Sequence, residues 1–66
     1  MENNSLPAEP YDREQIARIA GDIKLIDAAE HILAGRLGSA ETIAREVLAK
    51  DPNNVNAIVM LADIGI

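Results

Sequence analysis

The sequence predicts an all-α fold, consisting of an antiparallel helical hairpin followed by a third helix. Two observations predict it. Apolar residues recur at spacings of three and four through residues 12–50, which is the pattern of one face of an α-helix. The tetrapeptide Asp51-Pro52-Asn53-Asn54 then separates this region from a more apolar segment that begins at Val55. Because the residue before a proline disfavours the helical conformation, this tetrapeptide predicts a break between two helices.

The composition limits how such a fold can be stabilised. The chain has 66 residues, no cysteine, no tryptophan and no phenylalanine. A domain of this size is marginally stable, and disulfides are excluded, so close helix packing or oligomerisation is expected to support it. No cofactor is expected.

The charge excludes several partners. The net charge is −5, and the six basic residues are spread singly, whereas phosphate binding requires clustered Lys and Arg. We therefore expect no nucleic-acid partner and no attraction to an acidic membrane surface. The chain has neither an apolar segment long enough to cross a bilayer nor the pattern of a signal peptide, and a cytoplasmic location is expected.

The first helix is predicted over residues 12–34, after a lead of residues 1–10 that is expected to be disordered. Asp12 is a good N-cap for this helix. Residues 11–66 are predicted to form one helical module. Gly21 lies inside this pattern and lowers helix stability by about 1 kcal/mol relative to alanine. Two shorter helices that meet near residue 21 are therefore an alternative to one long helix. The predicted packing stripe of this helix comprises Ile16, Ile19, Ile23, Ile26, Ala29 and Leu33.

Two further helices follow. Gly35 is predicted to end the first helix in the left-handed conformation, and Ser39 to cap a second helix over residues 39–50. One face of that helix is apolar: Ala40, Ile43, Ala44, Val47 and Leu48. Asn54 or Asn53 is predicted to cap a third helix over residues 54–65. Since this helix is apolar on most sides, the hairpin alone is not expected to cover it.

The turn and its flanking helices resemble a degenerate tetratricopeptide repeat (TPR) over residues 22–66, about one and a third repeats. In that family two antiparallel helices recur about every 34 residues, with small residues and a proline at set positions. Ala40 and Pro52 match the back half of one repeat, in which Ala44 replaces the family's large residue, and Ala62 matches the small residue of the next, with Ala28 one period earlier. Departures from the family pattern fall at Lys24, Asp27, His31 and Gly65.

The resemblance implies a right-handed solenoid that serves as a scaffold for protein contacts. In the family, the first helix of each repeat lines a concave groove. Carried over by position, the candidate partner-binding residues are Leu25, Ala29, Ile32, Asn56, Val59 and Asp63. None of them forms a basic clamp, so the resemblance does not identify a ligand.

The residues do not predict catalysis or a metal site. Asp27 and His31 are four residues apart on a helix, a spacing that suits two metal ligands, but no third ligand accompanies them. Ser39 is better explained as a helix cap than as a nucleophile, because hydrolysis requires a base and an oriented partner as well. We therefore predict no metal and no enzymatic activity for this chain.

Three functional hypotheses remain. The first is a protein-interaction or packing module, the N-terminal part of a larger TPR-containing protein, whose partner is another protein or its own downstream repeats. The second is a complete small protein that self-associates through the helix Val55–Ile66. The third is the repeat region that precedes a sulfotransferase or glycosyltransferase domain, in which case catalysis belongs to that domain.

Overall fold

The computed structural model describes residues 11–65, which form three α-helices: α1 (Arg13–Leu33), α2 (Leu37–Lys50) and α3 (Val55–Ile64). The predicted disordered lead at residues 1–10 and the residue Ile66 lie outside this range. Helices α1 and α2 form an antiparallel hairpin. Helix α3 packs against both and runs alongside the second half of α1. The all-α hairpin with a third helix is thus confirmed.

The ends of α1 follow from local hydrogen bonds. Asp12 and Gln15 form a capping box, in which each side chain accepts a backbone N–H of the other residue at 2.8 Å. At the other end, the Arg36 N–H donates to the His31 carbonyl at 2.8 Å and the Gly35 N–H to the Ile32 carbonyl at 3.0 Å. Gly35 has a φ of +80°, as predicted, and the pair of bonds forms a Schellman motif.

The start of α2 corrects the prediction that Ser39 caps this helix. The helix begins at Leu37, and Arg36 precedes it without a side-chain cap. The Arg36 carbonyl already accepts the Ala40 N–H at 3.2 Å, so the first helical turn follows directly on the Schellman motif. Ser39 lies inside this turn.

The core is small and rich in alanine. Its buried side chains are Leu25, Ala28, Ala40, Ala44, Val47 and Ala57. The predicted apolar face of α2 is confirmed, with Ile43 and Leu48 partly buried against the same cluster. Alanine side chains let the helix axes approach closely, and the packed area per residue is correspondingly small.

The packing face predicted for α1 is wrong. Ile16, Ile19, Ile23 and Ile26 are 46–63% exposed and Leu33 is 88% exposed. The buried face of α1 instead carries Gly21, Leu25 and Ala28. The reason is steric, because branched isoleucines would hold α1 away from the alanines of α2 and α3, whereas glycine and alanine permit contact.

Gly21 packs against Val47 of α2, and α1 continues through it without a break. A Cβ atom added at Gly21 would lie 2.8 Å from Val47 Cγ1 and 3.2 Å from Asn54 Nδ2. We expect Gly21→Ala to lower the free energy of unfolding by about 1–2 kcal/mol, because this overlap outweighs the gain in helix propensity. Urea denaturation measures the change.

Gly38 provides the matched control. It also lies within a helix, and a Cβ added there meets nothing within 4 Å. Gly38→Ala is expected to raise the free energy of unfolding by about 0.5 kcal/mol. Stabilisation by both substitutions would contradict the close approach at Gly21.

Candidate functional site

A groove of about 420 Å³ lies between α1 and α3. Three residues of α1 and four of α3 line it: Ala29, Ile32, Leu33, Asn56, Val59, Met60 and Asp63. The three α1 residues span just over one helical turn. The α3 residues recur at spacings of three and four, which places them on one face of the helix. The groove is therefore a product of setting two helices side by side.

Two asparagines hold α3 in position against α1. Asn54 is fully buried, and its Oδ1 accepts the Ala57 N–H at 3.0 Å, which caps α3. Its Nδ2 donates to Asp22 Oδ1 on α1 at 3.1 Å. Asn56 Nδ2 donates to the same oxygen at 3.4 Å. The start of α3 is thereby fixed beside residue 22, and the helix runs from there towards Leu33.

An ion pair fixes the turn that precedes α3. Arg18 Nε and Nη2 donate to the two carboxylate oxygens of Asp51 at 2.5 and 3.1 Å, in a bidentate arrangement. Asp51 is 4% exposed. The hydrogen bond from Arg18 lowers the pKa of Asp51 below its ordinary value, and the same contact raises the pKa of Arg18. Both groups therefore remain charged at neutral pH.

The groove combines an apolar lining with polar groups near its two ends. Ala29, Ile32, Val59 and Met60 supply aliphatic and thioether surface, and Val59 is 51% exposed. Asn56 lies at the first turn of α3 and Asp63 at its last turn. No lysine or arginine is among the lining residues. Such a groove suits an apolar side chain that has a positively charged neighbour.

Five of the six residues predicted as partner-binding lie in this groove: Ala29, Ile32, Asn56, Val59 and Asp63. Leu25 does not, because it is 5% exposed and belongs to the core. The prediction did not include Leu33 and Met60. Each directly follows a predicted residue, so the helical face is simply wider than a single row of positions.

The side chains of the candidate metal pair interact with neighbouring residues. His31 Nδ1 accepts a hydrogen bond from Arg36 Nε at 2.8 Å, and His31 Nε2 lies 3.8 Å from Asp27 Oδ2. Among residues 11–65, no three His, Cys, Asp or Glu side chains are grouped as metal ligands would be.

The apolar surface of α3 is only partly covered. Val55 and Ile58 are 66% and 49% exposed and do not line the groove. Ile64, by contrast, is partly buried against the core. Within residues 11–65, none of the helices has the length and hydropathy needed to cross a membrane.

Comparison with protein-family models, curated proteins and solved structures gives no match for this chain.

Proposed function

We propose that this chain is a non-catalytic, TPR-like interaction module that binds a segment of another protein in the groove between α1 and α3. The observation that carries this proposal is the groove itself. It is formed by residues at the positions that line the concave surface of TPR proteins, with Asn56, Val59 and Asp63 on one wall and Ala29 and Ile32 on the other.

The residue spacing supports the same interpretation. Asp22 and Asn56, which contact each other across α1 and α3, are separated by 34 positions. This is the length of one TPR, in which equivalent positions of successive first helices lie side by side. The polar contacts of Asn54 and Asn56 with Asp22 therefore stabilise the alignment that creates the groove.

The chemistry of the groove favours a cationic, partly apolar segment as its partner. The chain has a net charge of −5, and Asp63 supplies a carboxylate at one end of an otherwise mostly apolar surface. Electrostatic complementarity of this kind increases the association rate and selects against acidic partners. A leucine or methionine beside a lysine or arginine would satisfy both features.

Two sets of synthetic peptides test the proposal, with identical leucine-containing centres and either lysine or glutamate flanks. In ¹H–¹⁵N NMR spectra of the labelled chain, we expect the lysine-flanked peptides to shift the amide signals of the groove residues. The glutamate-flanked peptides should leave them unchanged. Val59→Ser should weaken binding about tenfold by removing apolar contact area.

Val55→Ser is the matched control, because Val55 is also an exposed valine of α3 but lies outside the groove. It should bind like the unaltered chain. Asp63→Asn should weaken binding of the lysine-flanked peptides and reduce its dependence on salt. Absence of any shift, or shifts confined to surfaces outside the groove, would contradict the proposal.

The alternative function is self-association through α3. The exposure of Val55 and Ile58, on a helix that is almost entirely apolar, favours it. Replacing both residues by serine would then reduce the mass of the assembly in solution. Peptide binding in the groove would be unaffected.

A further inference from the structure

Helix α1 carries a second apolar face on the side opposite its packed face. Four isoleucines form this face, which we call the isoleucine stripe: Ile16, Ile19, Ile23 and Ile26. They are 48%, 46%, 62% and 63% exposed. At 100° per residue, the stripe is centred roughly 170° around α1 from the buried positions Gly21, Leu25 and Ala28. Neither α2 nor α3 can cover it.

The four isoleucines are spaced as in a helix that pairs with a second helix. The intervals of three, four and three residues place the isoleucines at positions a and d of a heptad, the positions that form the seam of a coiled coil. The stripe extends along about 15 Å of α1, which is three turns. By contrast, α3 has only ten residues, and one of its faces already packs against the core.

We propose that the isoleucine stripe pairs with the stripe of a second copy of this chain, with the two α1 helices antiparallel and the two-fold axis between Ile19 and Ile23. Ile16 of each copy then faces Ile26 of the other, and Ile19 faces Ile23. This dimer goes beyond the proposed function, because it uses the surface of α1 that is farthest from α2 and leaves the groove open.

The charges beside the stripe select the antiparallel direction. On one flank lie Arg13, Ala20 and Asp27, at seven-residue intervals. Antiparallel pairing sets Arg13 of each copy opposite Asp27 of the other, at both ends of the seam. Ala20 meets its own equivalent at the centre, where its small side chain permits close approach. A parallel pair would instead set Asp22 of each copy against Asp27 of the other, which like charges disfavour.

The second flank is compatible with this arrangement. The two copies of Asp22 face each other across the seam, which is a single like-charge contact against two in the parallel pair, and each carboxylate is turned to its own α3 by the amides of Asn54 and Asn56, at 3.1 and 3.4 Å. Since α3 begins beside residue 22 and runs towards residue 33, the two α3 helices extend away from the axis in opposite directions. The seam between the stripes remains open.

Sedimentation equilibrium of the full chain tests the dimer. We expect a concentration-dependent rise to twice the chain mass. Ile19→Ser with Ile23→Ser should raise the dissociation constant about a hundredfold or more, because four isoleucine side chains are lost from the seam of each dimer. Val55→Ser with Ile58→Ser, on the exposed face of α3, is the matched control and should leave the dissociation constant unchanged. Helical circular dichroism confirms that both variants remain folded.

Charge reversal tests the direction of pairing. Arg13→Glu and Asp27→Arg should each raise the dissociation constant about tenfold, since each creates two like-charge contacts. The double variant restores opposite charges and should restore dimerisation. Glutamate at the first position of α1 suits the helix dipole, so loss of the dimer in Arg13→Glu does not reflect a weakened helix.

A chain that stays monomeric at all concentrations would overturn the proposal, as would a trimer or tetramer. Dissociation by the α3 control with no effect of the α1 variant would overturn it in favour of self-association through α3. A double charge-reversal variant as weak as the worse single variant would overturn the antiparallel pairing. None of these results bears on peptide binding in the groove, which is tested separately.

Discussion

Val47→Asp is expected to unfold the chain. Val47 is 3% exposed and packs directly against Gly21 of α1. A carboxylate placed there would lose its hydration without gaining a partner, which costs more than about 3 kcal/mol. A small alanine-rich core provides only a few kcal/mol of net stability, so the substitution removes most or all of it. Circular dichroism should show the loss of helical signal and of the thermal transition.

Val55→Asp makes the same chemical change on the surface. Val55 is 66% exposed and is the first residue of α3, where a negative charge interacts favourably with the helix dipole. Its melting temperature should equal or slightly exceed that of the unaltered chain. A Val47→Asp variant that melts like the Val55→Asp variant would show that the packed face of α2 has been assigned incorrectly.

The contrast between α1 and α2 explains how far the sequence predicts this fold. Helix α2 has one apolar face, so periodicity alone identifies Ala40, Ala44 and Val47 as buried. Helix α1 has two, one of isoleucines and one built around Gly21, Leu25 and Ala28. Hydrophobicity alone predicts that the isoleucine face of α1 is buried. The face with the smaller residues is buried instead because it fits the shape of the opposing helices. That shape is a tertiary property which the local pattern does not contain.

The groove was predictable for a different reason. Periodicity does not distinguish a groove wall from a core face. Asn56, Val59 and Asp63 were candidates only because of the resemblance to a TPR, and they lie along one face of α3 in the groove. The prediction that Leu25 binds a partner was wrong because this residue lies on the face of α1 that packs into the core. The contact of Asp22 with α3 was not predicted, since a hydrogen bond between residues so distant in sequence depends on the packing of all three helices.

Asn54→Asp is expected to lower the free energy of unfolding by about 3 kcal/mol at neutral pH. Asn54 is fully buried and has two functions, as N-cap of α3 through Oδ1 and as donor to Asp22 through Nδ2. Aspartate retains the cap acceptor but replaces the donor with a second carboxylate oxygen. A buried carboxylate would then meet the half-buried Asp22 carboxylate at the 3.1 Å separation that now joins Nδ2 to Asp22 Oδ1.

The pH dependence identifies this repulsion. A carboxyl group held beside another in the folded state has a raised pKa, so the folded chain binds more protons than the unfolded chain. Stability should therefore increase as the pH falls from about 7 towards 5, where the pair takes up a proton. Asn54→Ser retains a cap acceptor and introduces no charge, so we expect a loss of about 1–2 kcal/mol that stays constant over this range. Equal losses for the two variants at every pH would mean that Asn54 acts only as a cap, and that its bond to Asp22 does not hold α3 against α1.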